Sequence, residues 1–238
     1  MVKQANKTTS LNNHTTLYKH IKILTTIYFC IILHTNQTSK KRTMAVELKK
    51  LNFGTVIKSG VQMCDLVISN RARLSPYFWW TDEKLTPNKL ALFMFVILYL
   101  MDTKRKKIAH KLNPQKLYDE QFVIYNDQGN VAGLCGLDNI DTATQKNAEL
   151  WALTFKGNPF GTVDSAIQWV EKYSANIKLE SLYAHVQLSN DKSKECLKRN
   201  NYTAQEGTKD VMVSKIPFKI APVQVFTKTL TRGDYNGR

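Results

Sequence analysis

The order of short hydrophobic segments between residues 122 and 188 constrains the fold most. Two of these segments flank Asn126–Asn130, which has the composition of a hairpin turn. A loop rich in glycine and proline, Lys156–Gly161, precedes apolar residues at helical spacing. The pattern therefore predicts strands at Phe122–Tyr125, Val131–Leu137 and Ala148–Phe155, a helix at Val163–Ser174, and a strand at Ser181–Leu188.

This order is typical of an α/β (α+β) domain with a mixed, mostly antiparallel sheet and a loop-to-helix junction in its middle. Such a junction favours anion binding, because backbone N–H groups point outward from a helix N-terminus and the helix dipole adds a positive potential. Elsewhere the patterns predict a helix end at Cys64–Arg71, an aromatic loop at Leu74–Trp80, a short helix at Lys192–Arg199, and strands at Asp210–Ser214 and Val223–Thr229.

Leu90–Met101 contains twelve uncharged residues in a row, which is too short for a membrane-spanning helix. Its composition offers no polar face, so we expect a helix that is buried or faces a partner, and a membrane-surface role is a lesser alternative. Thr86 is expected to cap its start, with Pro87 at the first helical position. The basic residues 104–107 are expected at its C-terminal end, where they suit the helix dipole.

The formal net charge of +15 is concentrated toward the N-terminus, since residues 1–43 contain seven basic residues and no acidic one. We expect residues 1–43 to be a disordered extension, which could also reflect a start codon assigned upstream of Met44, and residues 44–238 to form a single domain. The apolar run Ile21–Leu33 is too short to span a bilayer and has no cleavage site after it. The charge favours anionic partners such as RNA, ribosomes, lipid head groups or a nucleotide, or it serves solubility alone.

The four cysteines indicate neither a metal site nor a disulfide framework. No two of them form a C-x-x-C pair, and no histidine lies at ligand spacing from any of them. Cys135 and Cys196 lie in apolar patterns and are interpreted as small buried residues. This usage fits a reducing cytoplasm.

Four segments, in order, resemble one family. They are Asn70-Arg71-x-x-Leu74-x-Pro76-x-x-Trp79-Trp80, the run Val131–Asp141, the run Ala148–Leu153, and Asn190-x-x-Ser193-x-x-x-Leu197-x-x-Asn200-Asn201-Tyr202. Together they are similar to the GNAT superfamily of acetyltransferases, in particular to the branch that acetylates the N-terminal serine or alanine of ribosomal proteins. The resemblance implies a GNAT-type sheet with a splayed central strand pair that admits the pantetheine arm of acetyl-CoA.

The resemblance also implies functional residues. Glu149 would accept the proton of the amine, and Ser193 would assist the departing sulfur. Cofactor binding would involve Trp151, Ala152, Leu153, Lys156, Gly157, Gly161, Thr162, Asn190 and Ser193, and the acceptor entrance would be lined by Tyr77, Trp79 and Trp80. Each residue also has a structural interpretation: Glu149 as an exposed strand residue, Asn190 and Ser193 as helix-start residues, and the aromatic rings as core. His185 is interpreted as structural.

The sequence departs from the family pattern in the phosphate loop. Pro159 occupies the position of the first glycine, and proline has no N–H to donate. One lost hydrogen bond to a charged group is worth roughly 1.5–3 kcal/mol. Leu197 also stands where many GNAT enzymes have a tyrosine.

The sequence thus predicts an acetyl-CoA-dependent N-acetyltransferase without a metal or a transmembrane span, acting as a monomer or homodimer. The expected acceptor is a protein N-terminal α-amine, with ribosome association as a possible consequence, and a small-molecule amine is the nearest alternative. A catalytically degenerate GNAT-like binding module, or a nucleic-acid binder, remains open.

Overall fold

The structure is a computed structural model that describes residues 46–159, 161–215 and 218–231. The predicted extension at residues 1–43, with its apolar run, lies outside the described residues. In chain order the helices are α1 (Phe53–Ser69), α2 (Arg71–Leu74), α3 (Lys89–Leu112), α4 (Thr162–Asn176) and α5 (Asp191–Arg199), with a 3-10 turn at Trp79–Thr81. The strands are β1 (Glu47–Lys50), β2 (Tyr118–Tyr125), β3 (Val131–Asp141), β4 (Asn147–Thr154), β5 (Ser181–Gln187), β6 (Thr203–Ala204), β7 (Lys209–Lys215) and β8 (Phe218–Thr229).

The strands form one sheet in the order β1-β2-β3-β4-β5-β8-β6, and β7 pairs with β8. Every pairing is antiparallel except that of β4 with β5, which is parallel because the chain crosses over through α4. The predicted mixed, mostly antiparallel sheet is therefore confirmed.

Side chains that alternate along β3 divide the core into two layers. Cys135 and Leu137 belong to a cluster that packs against α4, whereas Leu134 belongs to a cluster with residues of α1 and α3. Gly136 and Asp138 follow Leu134 at every second position, so they face the same side as α1 and α3.

Helix α3 differs from its prediction at both ends. It begins at Lys89, and its cap is Asn88, whose side chain accepts a hydrogen bond from the Ala91 amide at 2.9 Å. Thr86 does not cap the helix, because its hydroxyl donates to the carbonyls of Trp80 and Asp82. The helix continues to Leu112, so the basic residues 104–107 lie inside it rather than at its end.

The apolar run in α3 is not buried on all sides. Leu92 and Leu100 are buried, but Leu90, Leu98 and Met101 are more than half exposed. The expectation of a fully buried segment was wrong, and the partner-facing alternative stays a prediction. Among the described residues, no helix combines the length and the apolar composition needed to cross a bilayer.

Strand β2 starts four residues before the prediction, which began at Phe122. The added residues include Asp119, Glu120 and Gln121, and all three are buried. Each has a polar partner: Lys106 for Asp119, Lys107 for Glu120, and Tyr99 for Gln121. Polar residues that are satisfied inside a fold carry no hydrophobic signal in the sequence, and that is why the strand pattern ended too late.

We predict that Gly133→Ala lowers the free energy of unfolding by about 3 kcal/mol, because the added methyl would overlap the Leu153 carbonyl on the neighbouring strand and also approach Thr154. Gly129→Ala is the control. Gly129 has a positive φ of 75° but open space around its Cα, so it should lose only about 1–2 kcal/mol. Urea unfolding of both variants measures the difference, and equal losses would contradict the steric account.

Candidate functional site

The parallel strands β4 and β5 separate after a short ladder. Only three residue pairs join them, and the last pair is Glu149 with Tyr183. Beyond this pair β4 continues to Thr154, where its other edge still pairs with β3 as far as Gly133. The edge of β4 that faces β5 therefore has no ladder partner from Leu150 onward. Trp151, Ala152 and Leu153, which the sequence predicts to hold a cofactor, lie on this edge.

The segment around α2 contacts both separating strands. Arg73 donates a hydrogen bond to the carbonyl of Thr154 near the end of β4. Gln187 at the end of β5 donates to the carbonyl of Pro76 at 3.1 Å. Because these contacts reach different strands from one short segment, they stabilise the separation of β4 from β5.

The loop between β4 and α4 presents two glycines in the left-handed region. Gly157 has a φ of 95° and Gly161 a φ of 89°, and a methyl group added at either position would meet nothing within 4 Å. Gly161 is the N-cap of α4, and no side chain caps that end. The first N–H groups of a helix lack partners within the helix, so this open end is suited to an anion. Phe160 lies outside the described residues.

Other predicted loop residues are occupied by local contacts. The Lys156 amide donates to the side chain of Asn70 at 3.0 Å, which leaves its exposed ammonium group as the part that can reach a ligand. Thr162 is buried, and its hydroxyl donates to the Pro159 carbonyl at 2.8 Å. Asn158 donates to the carbonyls of Ala132 and Phe155, so this residue holds the loop against β3.

An acidic residue in the first turn of α4 escaped the sequence analysis. Asp164 accepts a hydrogen bond from Asn200 at 2.7 Å and forms an ion pair with Arg199 at 3.3 Å. Both partners lie at the C-terminal end of α5. These contacts offset the negative charge of Asp164 near a helix end that otherwise favours anions.

The two predicted residues of α5 lie together at its start. The Asn190 side chain accepts from the Ser193 amide at 3.3 Å, so Asn190 is the cap of α5 in this structure. Asn190 therefore has the role of a helix-start residue that its structural interpretation gave it. Ser193 is partly exposed, and its hydroxyl has no hydrogen bond to another described residue.

Glu149 lies at the point where the two strands part. Its carboxylate contacts Nδ1 of His185 at 2.8 Å, and both side chains are about one quarter exposed, at 26% and 22%. The His185 ring lies 5.4 Å from that of Tyr183, the residue that pairs with Glu149 across the ladder. His185 is thus a direct partner of Glu149, a role that its position in an alternating strand did not reveal.

A second carboxyl group, Asp138, lies directly opposite Glu149 on β3. Its Oδ1 accepts hydrogen bonds from Trp151 Nε1 and Gln121 Nε2, each at 3.2 Å. Burial raises the pKa of Asp138 to about 7, and repulsion from Asp119 and Glu149 adds to this effect. The sequence analysis missed Asp138. The feature that could have identified it is the register of β3, which places it on the same face as Gly136.

Aromatic side chains from α3 and the preceding loop lie on the same side. Tyr99 accepts a hydrogen bond from Gln121 at 2.9 Å, and burial raises its pKa. Phe95 stacks between Tyr99 and Trp80, with ring centroids 6.3 and 6.2 Å away. Of the predicted entrance residues, Trp80 belongs to this stack, Tyr77 is half-buried, and the side chain of Trp79 lies outside the description.

Among the described residues, no group of three His, Cys, Asp or Glu side chains could hold a metal ion. The candidate site consists of three parts: a gap between two parallel strands, an uncapped helix N-terminus beyond one end of the gap, and a pair of carboxyl groups where the gap begins.

The comparisons with solved structures show that several acetyltransferases share this fold. RimL, a ribosomal L7/L12 alpha-N-protein acetyltransferase in complex with CoA, is 16% identical and has a TM-score of 0.59, with 79% of this chain and 95% of that chain covered. RimJ of Mycobacterium smegmatis, in complex with CoA-disulfide, is 14% identical with a TM-score of 0.59, covering 77% and 81%.

The spermidine N-acetyltransferase of Vibrio cholerae, in complex with CoA and spermine, is 18% identical with a TM-score of 0.54, covering 79% and 96%. No protein-family model matches the chain, and no curated protein matches it. At these identities the likeness establishes the fold.

Proposed function

We propose that this chain is an N-acetyltransferase that transfers an acetyl group from acetyl-CoA to a primary amine, preferably the α-amine of a protein N-terminus. The observation that carries the proposal is the parting of β4 from β5 immediately beside Glu149. A strand edge without a ladder partner can bond the amides of an extended pantetheine chain as if it were another strand.

The residues around the gap fit acetyl-CoA. The open space at Gly157 and Gly161 allows phosphate oxygens to approach the backbone, and the uncapped start of α4 supplies donors and a positive potential. The Lys156 side chain would add a positive charge. Trp151, Ala152 and Leu153 would bond the pantetheine arm, which brings the thioester toward Glu149. CoA or acetyl-CoA occupies several proteins of the same fold, including RimL and an acetyltransferase for microcin C7 self immunity.

Transfer requires a neutral amine, a polarised carbonyl and a proton for the leaving sulfur. In the proposed reaction Glu149 accepts a proton from the amine as the C–N bond forms, and His185 orients its carboxylate at 2.8 Å. The C–S bond then breaks, and the departing thiolate takes up the proton that Glu149 accepted, which regenerates the carboxylate. Ser193 has a hydroxyl without a described partner and would donate a hydrogen bond to that sulfur.

The residues around the gap constrain the identity of the acceptor less than that of the acetyl donor. Proteins of this fold act on a ribosomal N-terminus or on spermidine, so a small amine is the second candidate. Two features favour an amine in either case: the paired carboxyl groups Asp138 and Glu149, and the aromatic stack beside them. A degenerate binding module stays the alternative from another class, because Pro159 removes one amide donor from the loop.

The setting of the reaction is also part of the proposal. Cys64, Cys135 and Cys196 are buried free thiols, which agrees with a reducing cytoplasm. Residues 44–238 would form the catalytic domain, and the basic residues in 1–43 would support association with a ribosome or another anionic surface.

The affinity for acetyl-CoA tests the proposed phosphate loop. Isothermal titration should detect acetyl-CoA binding in the micromolar range, and Pro159→Ala should tighten it about tenfold, because it restores one N–H worth roughly 1.5–3 kcal/mol to a charged ligand. Pro222→Ala, at an exposed position in β8 outside the loop, is the matched control and should leave the affinity unchanged. Wild-type protein that fails to bind at millimolar acetyl-CoA would support the binding-module alternative.

A separate prediction concerns Glu149. Glu149→Gln should lower kcat/KM roughly 10²- to 10⁴-fold while the Kd for acetyl-CoA stays constant, because glutamine keeps the shape but cannot accept the proton. Glu180→Gln, at an exposed position just before β5, is the control and should retain activity. Activity can be followed by thiol release with a serine-initiated peptide and with spermidine. Unchanged kcat/KM in Glu149→Gln would remove this residue from the mechanism.

A further inference from the structure

The two oxygens of Asp138 have different surroundings. Oδ1 is held by two donors, Trp151 and Gln121. Oδ2 has no hydrogen-bond partner among the described residues, and no lysine or arginine of that part of the chain forms an ion pair with Asp138. Trp151 also packs on Gly136, where a methyl group would come within 2.7–2.8 Å of its ring. Oδ1 is therefore held in place, and Oδ2 is the oxygen left to bind a ligand.

The groups around Asp138 leave its negative charge without compensation. Asp119 from β2, Glu149 from β4 and Tyr99 from α3 face it, as does Tyr183 from β5. Lys106 pairs with Asp119 at 2.5 Å, and His185 pairs with Glu149. Each neighbouring carboxylate thus has its own partner, whereas Asp138 has only neutral donors. A cation bound beside Oδ2 would relieve this repulsion.

We propose that Asp138 Oδ2 is the binding point for the ammonium group of the acceptor and removes its first proton. This inference rests on the proposed acetyl transfer. The acceptor arrives as R–NH₃⁺ and forms a charge-assisted hydrogen bond with the Asp138 carboxylate. One N–H bond breaks, its proton moves to Oδ2, and R–NH₂ and the carboxylic acid result. Glu149 accepts the second proton when the C–N bond forms. The cross-strand pairing places the two β carbons roughly 5 Å apart, so one nitrogen can reach both groups.

Binding of an ammonium group requires the Asp138 carboxyl group to be ionised, and this sets the direction in which the acceptor KM changes with pH. The pKa of Asp138 is raised to about 7, so below that pH the carboxyl group is protonated and cannot pair with an ammonium ion. The KM for the acceptor should therefore fall as the pH rises through 7. Asp138→Asn keeps both hydrogen bonds to Oδ1 but has no titratable group, so this dependence should disappear.

The test compares wild type, Asp138→Asn and the control Asp127→Asn, which lies in the exposed β2–β3 turn. With a serine-initiated peptide and with spermidine, Asp138→Asn should raise the acceptor KM at least tenfold at pH 8 and leave the Kd of acetyl-CoA unchanged. An unaltered KM, or an unaltered pH profile of KM, would overturn the proposal.

A second measurement does not depend on transfer. Carboxyl ¹³C NMR of the wild type should show the Asp138 pKa falling by about one unit on addition of n-butylammonium chloride, because a bound cation favours the carboxylate. Absence of a shift at saturating amine would overturn the inference. If the shift occurs and acetyl transfer does not, the amine site stands and the proposed acetyl transfer fails.

A different observation concerns the outer face of α3. Six large apolar side chains follow one line along this helix and are 45–84% exposed. They are Leu90, Met94, Leu98, Met101, Ile108 and Leu112, and we refer to them as the α3 stripe. The intervals of three, four and seven residues keep them on one face for about 33 Å, opposite the buried Leu92 and Leu100. No described residue covers this face.

Helix α1 extends the apolar surface at the level of the stripe's centre. Asp65 pairs with Lys89 and Gly60 lies against Phe93, so α1 runs antiparallel to α3. Its exposed residues Phe53 and Ile57 therefore lie level with the middle of α3. Together with the stripe they expose on the order of 800 Å², which matches one side of a standard protein–protein interface.

We infer that the α3 stripe is the interface with a second copy of this chain, packed antiparallel about a two-fold axis near Leu98. Charge selects the orientation. In a parallel pairing Lys104 and Arg105 of both copies would face each other, because they flank the stripe, whereas Lys106 and Lys107 point inward to Asp119 and Glu120. Antiparallel packing about Leu98 separates the two Lys104–Arg105 pairs by about 20 Å, more than a Debye length.

Light scattering of the full-length protein at 100 μM should give a dimer. Leu98→Lys and Leu98→Glu should each give monomers, because like charges would meet at the axis, and an equimolar mixture of the two variants should dimerise. Leu117→Lys, at a 46% exposed residue outside the stripe, is the control. A monomeric wild type, or a failure of the mixture to pair, would overturn the inference. A monomer that binds phosphatidylserine vesicles would assign the stripe to a membrane surface instead.

Discussion

The candidate site depends on the short length of the parallel ladder between β4 and β5. Strands that continue side by side normally pair along their whole length, because an unpaired backbone edge is costly when buried. Here the ladder stops after three pairs. The segment around α2 contacts the ends of both strands through Arg73 and Pro76 and stabilises them in their separated positions. The same segment ties down the loop that follows β4, since Asn70 accepts from the Lys156 amide.

A buried ion cluster on the opposite face fixes the sheet behind the site. Glu120 is almost fully buried, and Lys50, Lys107 and Tyr173 all contact its carboxylate. These contacts hold its pKa below the usual value despite burial, which acts in the other direction. Because the three partners come from β1, α3 and α4, removal of one would leave a buried charge with fewer partners, and such losses are strongly destabilising.

The sequence predicted the elements whose signal is local. The hairpin at Asn126–Asn130 and the start of α4 beyond Gly161 follow from turn chemistry, and the structure confirms them. Cap chemistry left Asn190 and Asp191 as alternatives for the cap of α5, and in the structure the cap is Asn190. The order of these elements was enough to predict the fold class. The limits of β2 and α3 were missed, because the first depends on polar residues satisfied by distant partners and the second on the use of Thr86 as a donor to its own loop.

The candidate site was predictable only in part, for a similar reason. Glu149 belongs to a segment with a family resemblance, and the loop glycines were found by comparison with the family's phosphate loop, from which this chain departs at Pro159. Asp138, His185 and Asp164 carry no local pattern that distinguishes them from other polar residues. Their relevance comes from register and from contacts across the sheet: Asp138 lies opposite Glu149, and His185 bonds to it. Such pairings depend on which strands are neighbours, and spacing along the chain does not give this.

The gap between β4 and β5 also separates two regions of opposite charge. Beyond the end of β4, the uncapped start of α4 and the Lys156 side chain favour a phosphate. Where the gap begins, Glu149 and Asp138 favour a cation, and the partial burial of these carboxyl groups strengthens this effect because the local dielectric constant is low. An anionic donor and a cationic acceptor would therefore be drawn to different ends of the same gap and meet only at Glu149. Asp164 could disturb this separation, but its contacts with Asn200 and Arg199 turn its charge toward α5.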